Sequence, residues 1–370
     1  MDLLVVANPE NRRLAFFQQA VRSRGWPAAR VLSHSDLLSG RVVLEDHVRP
    51  GTVVRIDSAG EDHGVECQIL SSGGIEGARG IGEERGRVLH PAAWLRGFCG
   101  YLESLERAGE RCGARWFNPP SQIRVMFDKP RCKRSLGSLA PATIGTFASA
   151  EDFLSHLEPI RVAGVFVKLP GSSSASGVAA FRWHRSTGRQ VLRTTMEMRC
   201  IGGERRFYNS LLPQVYRDPA EIRQILDFLF SQDAFVEPWI PKPMFQGMSW
   251  DLRILAVGGK AMHRLARLSN GPMTNLHLGN RRLDPAELGL SDDVWATVER
   301  IVEEVMTRLP GCLYAGLDVV VPRSEESRGP SPVVLEANAF GDLLPGLVHQ
   351  GRDPWEAELD ALVAREVRFA

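Results

Sequence analysis

The sequence predicts an α/β protein with more than one core, and three observations carry that expectation. Residues 3–57 run apolar strand, helix, apolar strand, the β-α-β order of a small open α/β unit. In the middle, two strand-like runs meet at Gly258-Gly259, the pattern of a hairpin. Near the end, two apolar runs each carry an acid: Gly316-Leu317-Asp318-Val319-Val320-Val321 and Val333-Val334-Leu335-Glu336-Ala337-Asn338. A chain of 370 residues with 44% hydrophobic content is long enough for two or three domains.

Leu3–Ala7 reads as a buried strand and 13–23 as a helix, broken by Arg24-Gly25-Trp26-Pro27. Strands follow at Arg30-Val31-Leu32 and over 51–57. Residues 71–87 hold six glycines and several charges and read as a mobile loop. A helix over 91–107 carries Trp94, Leu95, Phe98, Leu102 and Leu105 on one stripe. Arg115-Trp116-Phe117-Asn118-Pro119-Pro120 breaks the pattern and sets a first boundary after residue 118. Beyond it come a helix over 128–139, a helix over 150–157 capped by Ser149, and a strand Val165–Lys168 that opens into a Ser/Gly loop. A helix over 221–231 and a strand at Ala234-Phe235-Val236-Glu237 precede the hairpin. Ser291 then caps a helix to Leu309 with Val294, Val298, Ile301, Val302 and Val305 inward. There is no internal repeat.

A formal net charge of +1 offers no bulk attraction to nucleic acid or an anionic membrane. Cys67, Cys99, Cys112, Cys132, Cys200 and Cys312 form no C-x-x-C pair, which fits buried thiols in a reducing compartment better than zinc or disulfides. The apolar start is too short for a signal segment, and no run approaches 18 apolar residues, so a cytoplasmic protein is expected.

Four stretches look chemical. Lys168 closes a strand and leads into Leu169-Pro170-Gly171-Ser172-Ser173-Ser174-Ala175-Ser176-Gly177. Small side chains there let backbone N–H groups approach phosphate oxygens. No Walker A or G-x-G-x-x-G pattern occurs. Lys129, entering a helix after Asp128, can place a point charge on a phosphate. Asp251 and Arg253 share a strand face, with Arg267 on the return strand. Two forked donors there suit phosphate or carboxylate, and equally suit cross-strand salt bridges with acids. Glu336 and Asn338 share a face by the two-residue period, and a neighbouring strand can add Asp318. Three hard oxygen donors suit Mg²⁺. His277 is a lone imidazole and is not assigned as a base.

Taken in order, these residues resemble the ATP-grasp superfamily over about 119–346, most nearly its glutathione-synthetase and ribosomal-protein-S6 glutamate-ligase branch. The order runs Asp128-Lys129 with Pro141-Ala142-Thr143, then Val167-Lys168 with its loop and Phe235-Val236-Glu237-Pro238-Trp239-Ile240. It continues through Asp251-Leu252-Arg253, Gly258-Gly259-Lys260, Arg267 and Thr274-Asn275-Leu276-His277 to Asp318 and Glu336-Ala337-Asn338. The resemblance implies two α+β subdomains clasping ATP, 119–236 as the lid and 237–370 as the metal-binding subdomain, after an N-terminal α/β domain over 1–118.

It implies that Lys129 and Lys168, with Ser172, Ser173 and Gly177 of the loop, hold the phosphates. Glu237, Pro238, Trp239 and Ile240 would form the hinge against adenine, and Asp251 would reach the ribose. Arg253, Arg267 and Asn275 would hold the transferred phosphoryl. Asp318, Glu336 and Asn338 would bind two Mg²⁺ ions, for which Mn²⁺ can substitute. Met273 and Leu278-Gly279-Asn280 depart from the branch, as does an insertion over 322–330. The implied reaction activates a carboxylate as an acyl-phosphate, which an amine then attacks with ADP and phosphate as products. The carboxylate belongs to a small molecule or a peptide, and a homodimer is compatible with the sequence. The alternatives are a peptide maturase of the same fold and a scaffold that binds nucleotide without turnover.

Overall fold

The computed structural model describes residues 1–157, 162, 164–172, 175–322, 331–341 and 344–369. Ser173, residues 323–330 of the insertion and residues 342–343 therefore lie outside the described residues. Three sheets order the chain. The first is parallel and four-stranded, in the order Arg30–Ser33, Leu3–Ala7, Val53–Ile56, Arg115–Trp116. Leu3–Ala7 is buried along its whole length, as an inner strand covered on both faces must be. Arg12–Ser23 starts where the Asn11 side chain accepts the Arg13 N–H at 2.9 Å. Pro91–Cys112 buries Phe98, Leu102 and Leu105, as the stripe predicts, and runs five residues past the expected end at 107.

The glycine-rich stretch is a loop for most of its length, as expected. Helix His63–Ser72 ends just inside it, Ala78–Gly80 forms one short turn, and 86–88 forms a short antiparallel strap. The Val88 N–H donates to the Phe207 carbonyl at 2.9 Å and the Asn209 N–H to the Gly86 carbonyl at 2.7 Å. Gly86 adopts φ +78, the left-handed turn that lets the strap meet the second sheet.

That second sheet is antiparallel, in the order Gly145–Thr146, Phe235–Pro238, Val165–Lys168, Val178–Trp183, Gln190–Ile201, Glu204–Tyr216. Val165 and Val167 face a core with Phe153 and Phe181 and with Ile222, Ile225, Leu226 and Leu229 of helix Pro219–Ser231. The two-residue period turns Phe166 and Lys168 to the opposite face.

The third sheet runs Arg281–Leu283, Lys260–Ser269, Met248–Val257, Tyr314–Val320, Val333–Asn338, all antiparallel, with Met244–Phe245 added beside Met248–Val257. The predicted hairpin turns at Gly258 and Gly259, both at positive φ. Trp250, Leu252, Ile254 and Ala256 share a core with Val298, Ile301, Val302 and Val305 of helix Asp292–Thr307. On the other face, Leu255 and Val257 join Val5, Phe17, Leu359 and Leu362 in a second core, while Asp251 and Arg253 lie beyond its edge. One face is thus half core and half polar.

Helices Pro120–Phe127 and Lys129–Leu136 touch strand Val333–Asn338 and share its core through Ile123, Cys132, Leu136, Val334 and Ala337. Residues 120–136 therefore pack on the third sheet, although the sequence grouped them with the second. Lys129 reaches the cleft from that side and Lys168 from the other. Among the described residues, no helix is long and apolar enough to cross a membrane.

Candidate active site

The polar half of the third sheet faces the second across a cleft. Strand register alone sets its floor. Arg253 lies opposite Asp318, Asp318 opposite Glu336, Asp251 opposite Arg267 and Gly316 opposite Asn338. Pairing jumps from Glu336 to Val334 between Asp318 and Val319, which leaves Leu335 as a bulge. Leu335 and Glu336 therefore both line the cleft, which strict alternation forbids.

Asp251, 1% exposed, accepts from Arg267 Nε at 2.8 Å and Nη2 at 2.9 Å, from Lys242 Nζ at 2.9 Å and from Thr274 Oγ1 at 2.5 Å. Asp318 lies 3.1 Å from Arg253 Nε through one oxygen and 3.1 Å from Arg267 Nη2 through the other. Lys129 Nζ stands 3.1 Å from Glu336 Oε1 and donates to the Ser172 carbonyl. Glu237 meets Lys168 Nζ at 2.5 Å through Oε1 and Lys133 Nζ at 2.9 Å through Oε2.

Eight cationic and five acidic side chains line the cleft, an excess of three positive charges suited to a polyanion. Burial alone would raise the Glu336 carboxyl, but Lys129 and Lys168 outweigh it and bring it down to about 2. Burial pushes Asp318 up; Arg253 and Arg267 oppose this, and Asp251 and Glu336 add to it. Asp251 is held far below the usual carboxylate range, against burial, by Arg267 and Lys242.

A divalent cation fits this floor. Asp318 Oδ1 is buried and, although 3.1 Å from Arg253 Nε, accepts no well-aligned hydrogen bond among the described residues. Asp318 and Glu336 sit side by side, with the Asn338 amide two pairs further along on the same face. Among the described residues no three His, Cys, Asp or Glu side chains gather into a self-sufficient metal site. Two carboxylates and an amide match Mg²⁺, which leaves its remaining positions to phosphate and water.

Of the residues singled out by sequence, Lys129, Lys168, Ser172, Glu237, Pro238, Ile240, Asp251, Arg253, Arg267, Asn275, Asp318, Glu336 and Asn338 line this one cleft. Gly177 instead shapes the loop: its φ is +64 and a Cβ there would lie 2.2 Å from Leu169 Cδ1. Trp239 turns its ring to Arg182 at 3.9 Å, and its backbone N–H already donates to the Gly164 carbonyl at 3.0 Å. Glu237 was expected against adenine, yet its carboxylate is a buried counter-ion for two lysines. Asp251 was expected at the ribose, yet protein donors occupy both its oxygens.

Sequence reasoning gave no role to Lys133, Lys242, Thr274, Arg12, Arg13 and Leu335. Lys133 had a signal, because it follows Lys129 by four residues and so shares its helix face. Nothing local marks Lys242.

The same architecture occurs in solved ATP-grasp ligases. D-cycloserine synthetase DcsG matches with a TM-score of 0.55 and 14% identity, over 98% of this chain and 99% of that one. ATP-grasp ligase PsnB, complexed with a phosphomimetic variant of its minimal precursor, Mg and ADP, matches at 0.53 and 14%, over 98% of each chain. Macrocyclase MdnC from Microcystis aeruginosa, bound with precursor peptide MdnA, matches at 0.54 and 13%, over 99% of this chain and all of that one. No protein-family model and no curated protein matches the sequence. At such identities the likeness is one of fold: the chain has the ATP-grasp fold.

Proposed function

We propose that this protein is an ATP-dependent carboxylate–amine ligase that works through an acyl-phosphate and releases ADP and phosphate. One observation carries the reading: Lys129, Lys168, Arg253, Arg267, Asp318, Glu336 and Asn338, spread over more than 200 positions, line a single cleft. A scaffold that only binds nucleotide would need the lysines and a cation site, but not Arg253 and Arg267 in the same cleft. In this reading residues 1–118, 119–236 and 237–370 act as substrate unit, lid and metal-binding unit, except that helices Pro120–Phe127 and Lys129–Leu136 go with the last of these. The order of motifs supports placing the chain nearest the glutathione-synthetase and S6-ligase branch.

Each side chain then has a task. Lys129 and Lys168 hold the polyphosphate, with loop residues around Ser172 closing over it and excluding water. Pro238, Ile240, Phe166 and Leu335 offer apolar walls to the base. Arg253, Arg267 and Asn275 hold the γ-phosphoryl in line with the incoming carboxylate oxygen. Like charges about 4 Å apart repel by about 4 kcal/mol near a protein surface, and this cationic set offsets that repulsion. Asp318, Glu336 and Asn338 would hold Mg²⁺, in two ions with Mn²⁺ an acceptable substitute, which supplies charge neutralisation across the phosphates. The amine then attacks the acyl carbon and phosphate leaves, so no protein nucleophile is required.

The test is ADP release across a panel of acids and amines, with hydroxylamine present to trap the acyl-phosphate as a hydroxamate. ADP release that depends on an acid, together with a hydroxamate, supports the reading. Nucleotide binding without turnover under any pair would favour the scaffold instead. A second reading has its own support, because PsnB and MdnC are bound with precursor peptides. If this chain is likewise a maturase, ADP release will respond to acidic peptides and not to free acids.

A further inference from the structure

Lys133 has no task in that scheme. It is only 6% exposed and does not line the cleft, yet its Nζ lies 2.9 Å from Glu237 Oε2. Lys168, which does line the cleft, holds the other oxygen at 2.5 Å. Glu237 is 2% exposed. A buried carboxylate requires one counter-ion, and a second buried lysine adds a desolvation penalty. Burial lowers Lys133, and Lys168 lowers it further against the pull of Glu237 and Glu336.

The geometry points to a reason. Lys168 is placed to turn from Glu237 to a phosphate, and Lys133 is not. With Lys168 alone, that turn would strand a buried carboxylate without a cation. We propose that Lys133 is a positioning residue for nucleotide binding: it keeps Glu237 neutralised so that Lys168 can exchange the carboxylate for the polyphosphate. This rests on the cleft being the ATP site. The charged groups bearing on Glu237 are Lys168 from strand Val165–Lys168 and Lys133 from helix Lys129–Leu136. Glu336 acts on both lysines from strand Val333–Asn338, and Asp318 acts on Lys168.

The experiment is calorimetric titration of AMPPNP with Mg²⁺ into wild type, Lys133→Met, Lys133→Arg and the double variant Lys133→Met/Glu237→Gln, from pH 6 to 8.5. In Lys133→Met the bound state holds a lone buried Glu237, so its pKa rises on binding and a proton is taken up. Affinity relative to wild type is expected to fall at least about tenfold at high pH and to recover as pH drops. Repeating the titration in buffers of different ionisation enthalpy reads that proton directly.

Lys133→Arg should behave as wild type. The double variant, with its charge balanced again, should return to within about threefold of wild type. It also decides the matter if Lys133→Met does not fold, because a double variant still weakened at least about tenfold overturns the assignment. A Lys133→Met protein that loses thermal stability while keeping wild-type affinity and no extra proton overturns it too. Wild type that fails to bind AMPPNP overturns the ATP site itself, a result separate from the other two.

Discussion

Asp251→Asn separates two roles for one residue. The sequence placed Asp251 at the ribose; the structure makes it the counter-ion of Arg267 and Lys242, at 2.8–2.9 Å. At an effective permittivity of about 20, each contact is worth about 6 kcal/mol of gross attraction. Most of that is offset by desolvation already incurred, and breaking a buried pair typically costs about 3–5 kcal/mol net. Arg267 keeps Asp318 at 3.1 Å, which puts the expected loss near the lower end, about 3 kcal/mol. For a cooperative unit of about 200 residues that is a Tm lower by about 6–12 °C. AMPPNP affinity should change by less than about threefold, because an anionic ligand replaces part of the lost charge. Thermal unfolding and calorimetry on the same preparation read both. An unchanged Tm with affinity down tenfold or more would refute the counter-ion role and restore the ribose contact.

Three further perturbations follow from the same geometry. Glu336→Gln removes a donor from the floor but leaves Lys129 its contact with the Ser172 carbonyl; ADP release should fall at least about 100-fold, about 2.7 kcal/mol of barrier, with the far-UV spectrum unchanged. Full turnover in that variant would count against the metal floor. His34 is fully buried, with Nδ1 3.0 Å from the Tyr101 hydroxyl and Nε2 3.1 Å from the Asp57 carbonyl, and burial lowers it to about 4. The neutral ring costs nothing above the unfolded value of 6.5, and stability is lost as pH falls from there through about 4, by about 3 kcal/mol in all. His34→Gln should flatten the pH dependence of Tm over that window, and an unaltered slope would contradict this. Gly97→Ala would put a Cβ 2.0 Å from the Ile69 carbonyl oxygen where helices His63–Ser72 and Pro91–Cys112 meet, so a loss of about 3 kcal/mol or more by urea unfolding is expected.

The third sheet was legible because strand Met248–Val257 alternates from Trp250 to Ile254 and the last two strands are apolar runs. Trp250, Leu252, Ile254 and Ala256 against Asp251 and Arg253 announce two faces, and Gly258-Gly259 announces the turn. The acids at Asp318 and Glu336 stand out in otherwise apolar runs, so their meeting across one pair followed from strand geometry. The hairpin Gln190–Ile201 with Glu204–Tyr216 was not legible. It is mostly half-buried or exposed, and its register shifts between Thr194 and Met196, so no clean period survives. The strap over 86–88 was hidden for another reason: glycines that suggest mobility also permit the φ that brings backbone to a sheet edge. Which lysines would be buried depended on tertiary packing. Lys242 is fixed by Asp251, nine positions on, and Thr274, 32 positions on, and Lys133 by an acid over 100 positions away.

Titration of AMPPNP into the protein with and without Mg²⁺ decides whether this cleft is a magnesium-nucleotide site. One saturable site per chain is expected, with affinity that drops at least about tenfold when the cation is chelated and drops again in Lys168→Met. A flat titration under both conditions, or binding indifferent to Mg²⁺ and to Lys168, would contradict it.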